Sequence, residues 1–415
     1  MKIKSLWKKN SKEKIFCGLD LGSQSIKVAL MKLTERRNIV LLGMLGQKTQ
    51  GFRDSSVTDL AELSECIHRT IDELAAKVNV KVRDLHLGIG SDMVESRSVN
   101  AVIPLVDKGR KVITRSDVKK LNQQARLLGI KMDEEILHDV PQSYLIDDEN
   151  ESKNPLGLYG RKIAVQSLMM ITKSNPIRNM IQAVHQAGYD VTGYSLSSYA
   201  ASQMTLTDDE RRQGSVLIDL GSQVTSILIF SDGILKFYDK IDIGGNHLTR
   251  KISQEMNVSF DSTEDIKRHF ASAMVLDHLK DEEILFKRED GYIPVRRSAI
   301  HQVVEPEIQK LLEEITARVT QPGKVSRGIV IIGGGALLPG MIERIGEQTG
   351  LSVRLGSIPM SYQTPIKSPA ICASAAGLAY LDLKNHLASS FSSQAQGSRV
   401  EGITQKIKEL YHEYF

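Results

Sequence analysis

The chain has 415 residues, a formal net charge of only +4, and hydrophobic residues making up 41% of the sequence. That length calls for more than one core, and so small a charge gives no case for a nucleic-acid partner. No apolar run approaches the ~20 residues that a bilayer-spanning helix needs. The three cysteines, Cys17, Cys66 and Cys372, stand far apart with no metal or redox spacing, which fits a reducing compartment and argues against a disulfide framework.

Residues 1–13 are Lys-rich, carry the single Trp7 and lack the apolar stretch of a signal peptide, so they are expected to form a mobile leader. An apolar run from Ile15 to Leu19 then ends in Asp20-Leu21-Gly22-Ser23-Gln24 and resumes after Ser25 through a strand that carries Lys27. The same pentapeptide recurs as Asp219-Leu220-Gly221-Ser222-Gln223, again between apolar runs and again followed by a further strand. Two such units half a chain apart predict a duplicated α/β fold with one turn from each half facing a shared cleft. Gly lets backbone approach a ligand, the next amides can wrap an anion, and a strand-end Asp can hold a hydrated Mg²⁺. Asp20 and Asp219 are therefore the candidate metal residues. A third strand, Gly328 to Ile332, runs into Gly333-Gly334-Gly335-Ala336 and a helix to Thr349, a geometry suited to phosphate or adenine against backbone.

Between these motifs the spacing predicts a helix over 57–78. An α+β unit follows from Leu85, with strands at 85–89, 99–106, 136–140, 144–146 and 162–172 and a helix from Ser116 to Leu128. Helices are expected at 175–187 and 197–204, the second rich in Ser and Ala and suited to a tight crossing between the halves. After the second repeat, Gly244-Gly245-Asn246 opens a helix, and Asp261 to Met274 is read as another. It carries Glu264 and Lys267, which read on spacing alone as solvated helix-surface charges. Lys280 to Asp290 reads as a charged stretch, 303–320 and 370–383 as helices, and 385–398 as a flexible linker. In the tail, Ile403, Ile407, Leu410, Tyr411 and Tyr414 share one helical face, as in a helix lying in a membrane interface, although the tail's charges nearly balance.

The three Gly-containing motifs, in this order, resemble the phosphate-1, phosphate-2 and adenosine motifs of the actin/Hsp70/sugar-kinase superfamily. Val140-Pro141-Gln142-Ser143-Tyr144, Asn154-Pro155-Leu156-Gly157-Leu158, Asp208-Asp209-Glu210-Arg211 and the terminal helix make the chain most similar to the FtsA family of bacterial division proteins. The resemblance implies a duplicated actin-like (ribonuclease H-like) ATPase fold. It would comprise a leader (1–13), subdomain 1A (14–84 and 174–214), an inserted 1C (85–173), 2A (215–250 and 325–384), 2B (251–324), a linker (385–399) and a membrane-targeting helix (400–415). It further implies ATP and Mg²⁺ as ligands, with Glu264 and Lys267 at the ribose and adenine edges, and self-assembly into filaments. It also implies docking of FtsZ on 2B with Arg296 and Arg297 as candidates, contacts of 1C with later division proteins, and attachment to the inner face of the cell membrane at the division site. Where relatives carry further Gly and often a second Asp, the phosphate-2 turn here reads Ser222-Gln223-Val224-Thr225-Ser226. Hydrolysis is therefore expected to be slow or absent, with Gln24 or Gln223 as substitutes for orienting water. A pilus-assembly adaptor like PilM is the alternative. A sugar kinase lacks its catalytic base and sugar domain here, and a chaperone ATPase lacks its peptide-binding domain.

Overall fold

Two five-stranded sheets with the same strand order carry the protein in the computed structural model, which describes residues 14–395 apart from 36–37, 107–108, 275–281, 289–290, 321–326 and 360–368. The leader with Trp7 and the amphipathic tail at 400–415 lie outside the described residues. In the first sheet Ile39–Lys48, Ser25–Leu33 and Lys14–Leu21 form an antiparallel meander, which Asp84–Ile89 and Asp190–Leu196 extend in parallel. In the second, Ile234–Ile241, Thr225–Ser231 and Ser215–Leu220 form the meander, and Ile329–Ile332 and Val353–Leu355 extend it. The duplication expected from the repeated pentapeptide is thus present strand for strand. Central strands such as Ser215–Leu220 are buried almost throughout, as continuous apolar runs in covered sheets should be.

On the first sheet, helix α1 (Leu60–Lys77) is capped by Asp59, whose side chain accepts from the amide of Glu62, and buries Leu63, Ile67, Ile71 and Leu74. The inserted unit follows. It has strands Val94–Pro104, Glu134–Ile146 and Lys162–Lys173, the short edge strand Asn150–Ser152, and helix α2 (Arg115–Gly129). Its own core holds Val99, Leu121, Tyr144, Ile163 and Met169. The insertion starts later than the expected residue 85, because Asp84–Ile89 pairs with Lys14–Leu21 at the centre of the first sheet. The two strands read at 136–140 and 144–146 are one strand, with a register shift where Pro141 stands opposite Ser167.

Helices α3 (Ser174–Gln186), α4 (Ser197–Thr205) and α5 (Asp208–Gln213) lead into the second half. The short α5 is opened by a Thr207–Glu210 capping box. Beyond the second meander come α6 (Gly245–Met256) and α7 (Phe260–Phe270), which ends four residues short of the expected Met274. The charged stretch at 280–290 contains strand Glu283–Arg288, paired with Gly291–Arg296. Ile284 and Phe286 point into the core from it, while Leu285 faces out. Helices α8 (Arg297–Val319) and α9 (Met341–Thr349, closed by left-handed Gly350) complete this half.

The last helix, α10 (Ala373–Ala395), departs most from expectation. It packs on the first sheet against Phe16, Ala29, Met31 and Leu41 instead of staying with the second, and its helical turns continue to Ala395, through the stretch read as linker. Small residues make the close approach possible. A Cβ on Gly377 would stand 1.9 Å from the Ala200 carbonyl oxygen of α4, and one on Gly18 would stand 2.1 Å from that of Ala375. The Ser/Ala-rich α4 therefore does make the tight crossing its composition suggested. Gly377→Ala is expected to destabilise the chain by about 3 kcal/mol, read as a fall in the urea midpoint. Gly334→Ala, where a Cβ meets nothing within 4 Å, should leave the midpoint unchanged.

Candidate functional site

The chain-reversing ends of the two central strands meet across a cleft of about 1580 Å³. On the first side, Asp20 stands opposite Lys27 in the strand register. Lys27 Nζ lies 3.2 Å from Asp20 Oδ2, and the Ser197 hydroxyl, at the first residue of α4, donates to Asp20 Oδ1 at 2.7 Å. Gly88 leaves room for this arrangement, since a Cβ there would stand 2.5 Å from Ser197 Oγ. The turn Gly22-Ser23-Gln24 is held from below by Thr49, whose amide donates to the Gln24 carbonyl (3.2 Å) and whose hydroxyl donates to that of Gly22 (2.6 Å).

On the second side, Asp219 ends its strand beneath the turn from Gly221 to Val224. The first amides of α6 brace this turn: Gly245 donates to the Gly221 carbonyl at 2.9 Å and Asn246 to that of Ser222 at 2.8 Å. Gly333, at φ +87°, lets the third motif pass close by; a Cβ there would stand 2.5 Å from the Leu220 carbonyl oxygen and 2.6 Å from Asp219 Oδ1. Only glycine tolerates both that conformation and that proximity.

The two carboxylates are not equivalent. Asp20 has a donor on each oxygen. Asp219 has no side-chain donor among the described residues, and burial, reinforced by the charge of Asp20, pushes its carboxyl up to about 6 against the pull of Lys27. Burial alone would lower the Lys27 pKa, but Asp20 beside it and Asp219 across the cleft outweigh that and hold it above the usual lysine range. The cleft thus has one neutralised carboxylate and one with unused capacity for a proton or a hydrated cation.

Of the residues the sequence singled out, Asp20, Gly22, Ser23, Gln24, Ser25, Lys27, Asp219, Gly221, Ser222, Gln223, Gly244, Gly245, Asn246, Glu264, Lys267 and Gly333 to Gly335 all line the cleft. Ala336 does not; its methyl is buried in the core of the second half. Glu264 and Lys267 are not solvated surface charges. Lys267 donates to Glu264 (2.7 Å), Thr249 Oγ1 (2.9 Å) and the Gly245 carbonyl (2.9 Å), which occupies its three donors in bracing α7 against α6. Burial lowers the pKa of Lys267 despite Glu264; the Glu264 carboxyl, which burial would raise, is held below its usual range by Lys267. Arg297, a docking candidate, is tied to Glu282 and the Phe270 carbonyl, while Arg296 is exposed.

Spacing could not reveal several residues that shape the site: Thr49, Asp54, Asp92, Ser197 and Arg268 arrive from loops and helices remote in sequence. Ser55 donates to Asp92, and the Gln223 amide donates to Asp54. These residues fit a nucleotide bearing a hydrated divalent cation. Gly22, Ser23, Gly221 and Ser222 would hold phosphates, Asp219 the cation with Asp20 behind it, and the backbone at Gly334, facing open space, would lie against a flat base.

A family model described as "Cell division protein FtsA" matches residues 216–377, and one described as "SHS2 domain inserted in FTSA" matches 92–171, so that between them they span more than half of the chain. The chain belongs to the FtsA family. The cell division protein FtsA of Buchnera aphidicola is 27% identical over 362 residues, covering 86% of this chain and 85% of that protein. Among solved structures, the PilM–PilN type IV pilus biogenesis complex matches with a TM-score of 0.65 at 14% identity, covering 88% of this chain and 97% of that one. MreB5 of Spiroplasma citri bound to AMPPNP matches with a TM-score of 0.52 at 13% identity, covering 91% and 99%. Both are likenesses of fold, and they make the architecture actin-like. The SHS2 match agrees with an insertion that begins after Asp84–Ile89. Gln142, in the Val140-Pro141-Gln142 stretch, bridges the insertion to the second half by donating to the Leu235 carbonyl at 2.9 Å.

The raised Asp219 pKa has a definite sign. An ordinary unfolded-chain Asp titrates near ~3.9, so the folded state binds the extra proton between about pH 4 and 6. The stability this confers is complete at low pH and is lost as pH rises through about 6. Asp219→Asn should therefore raise the melting temperature of the ligand-free chain at pH 7.5, by roughly 2 kcal/mol of stability, and do much less at pH 5. Equal gains at the two pH values would show that the carboxylate is not held protonated by its surroundings.

Proposed function

We propose that the chain is an ATP-binding, actin-like cell-division protein that polymerises on the inner face of the cytoplasmic membrane at the division site, anchors FtsZ there and helps recruit later division proteins. The observation that carries this reading is the pair of matching Asp-Gly turns facing each other over one cleft, with Gly333 to Gly335 closing its end. Membership of the FtsA family supports the division role, and the AMPPNP in the MreB5 structure supports a nucleotide in the cleft. Mg²⁺ would reach the phosphates through waters held by Asp219 and Asp20, supplying charge neutralisation there. The hydrolytic step is expected to be weak, since the phosphate-2 turn offers Ser222 and Gln223 where a water-orienting carboxylate would be needed.

FtsZ docking is assigned to the α7–α8 region. Leu285 and Tyr292, 68% and 67% exposed, lie on its hairpin with Arg296 at the end, and this apolar surface with a basic edge suits an acidic, hydrophobic peptide. The insertion is the proposed surface for later partners. No helix among the described residues is long and apolar enough to cross a membrane, so attachment is assigned to the tail face of Ile403, Ile407, Leu410, Tyr411 and Tyr414. One short, nearly neutral helix binds weakly, and a filament multiplies it by avidity.

ATP with Mg²⁺ is expected to raise the melting temperature, and Gly334→Leu, which fills the open space against the backbone, should abolish that shift without lowering the basal value. Melting unmoved by ATP in the unaltered chain would remove the nucleotide reading. In liposome sedimentation with an FtsZ C-terminal peptide, the full chain should carry the peptide into the pellet. Deletion of 400–415 should leave both in the supernatant, still bound to each other. Pelleting unchanged by the deletion rules out the tail as anchor, and a peptide that never binds favours an adaptor of another assembly.

A further inference from the structure

The pentapeptide repeat places a glutamine at the same point of each turn, and each glutamine reaches across the cleft to the opposite half. Gln24, on the first turn, donates from Nε2 to Asn246 Oδ1 at 2.6 Å and accepts at Oε1 from the Arg268 guanidinium at 3.2 Å. Gln223, on the second turn, donates from Nε2 to Asp54. The partners lie on elements built to present them. Asn246 sits in the first turn of α6, with its amide tied to Ser222 and its side chain buried. Arg268 is oriented by Glu264, at 2.8 Å, the same carboxylate that holds Lys267. Asp54 and Ser55 hold φ values of +46° and +60°. L residues adopt such angles at a cost, and the pair is pinned there by the bond from Ser55 to Asp92.

We propose that Gln24 and Gln223 form two reciprocal latches, related by the internal duplication, that hold the halves closed over the cleft and set the rate at which a bound nucleotide leaves. Both lie on the turns that line the phosphate end, so a ligand cannot depart without the halves separating and the latches breaking. Two of the three bonds involve a charged partner, Arg268 or Asp54, and such bonds are the stronger kind. The bonds to Arg268 and Asp54 are exposed, where water competes, and the bond to Asn246 is partly buried, so the set is a reversible latch and not a permanent staple. The exposed pair Lys48–Asp261 at 3.4 Å crosses at the same mouth and, being exposed on both sides, adds little. The latches also give Gln223 a reason to stand where a catalytic carboxylate is absent: its amide is spent on closure.

The proposal rests on the nucleotide reading for its kinetic part but not for its structural part, and the test separates the two. Full-length chains carrying Gln24→Ala, Gln223→Ala or both are compared with the unaltered chain by small-angle X-ray scattering without nucleotide, and by release of fluorescent ADP in stopped flow. The double variant should be more open in scattering. Release should quicken about threefold in each single variant and about tenfold in the double. Gln223→Glu, which places a carboxylate against Asp54, should open the cleft at neutral pH at least as far as alanine does. Unchanged scattering in every variant overturns the latch even if nucleotide binds. An opened cleft with no binding of fluorescent ADP to any chain upholds the latch and overturns the nucleotide reading instead. Circular dichroism at unchanged melting temperature guards against misfolding, and Lys48→Ala, outside both latches, should match the unaltered chain in scattering.

Discussion

Two carboxylates are brought to the ends of the two central strands with a single lysine between them, and most local choices around the cleft follow from keeping that arrangement stable. Like charges at close range in a partly dehydrated cleft cannot both remain ionised without help. Here the help is unequal. Lys27 and Ser197 satisfy Asp20, so the strain of the pair falls on Asp219, whose pKa rises to about 6. Gly88 and Gly333 are required because a side chain at either would push into these groups. The arrangement carries a cost in stability at neutral pH, because Asp219 ionises there with only Lys27 to offset its burial and the charge of Asp20. That is the pattern expected where stability is traded against binding.

The duplication was legible from the sequence because strands with an Asp-x-Gly end are short local signals that do not depend on what packs over them. Nineteen positions were named for the nucleotide cleft, and every one except Ala336 lines it, for the same local reason. What could not be read was non-local. A helix of small apolar residues such as α10 packs equally well on either sheet, and only the fit of Gly377 to Ala200 and Gly18 to Ala375 decides for the first. The strand Asp84–Ile89 looks the same whether it opens an insertion or completes a sheet, since its partner Lys14–Leu21 is some seventy positions away. The hairpin at 283–296 is hidden in the sequence because the apolar triplet Ile284-Leu285-Phe286 is flanked by charged residues, in a stretch too polar overall to suggest a core strand. Glu264 and Lys267 are not the solvated surface charges that spacing allows; they form a buried pair that braces two helices, orients Arg268 and lines the cleft.

The insertion gains a second role from its docking. It belongs to the first half by chain connection, yet Gln142 bonds the Leu235 backbone and Lys153 pairs with Asp232 at 2.9 Å, both in the second. At its other end, Asp92 holds Ser55 through its side chain, while its carbonyl accepts from Lys240 at 2.8 Å. Ser91 bonds Ser226 across the same seam at 3.1 Å. The insertion is thus bonded to the second half both at its root and along its sheet.

The same seam bears on how the two turns are used. Closure of the halves draws on side chains of the turns as well as on the packing around them. Gln24 bonds Asn246 and Arg268, and Gln223 bonds Asp54, so each turn adds a bond across the cleft. A ligand shifts such a balance only as far as its differential affinity for the closed over the open arrangement allows. The duplication thus gives each half one side chain that reaches into the other, and the position after Ser222 is occupied by a group engaged in that contact.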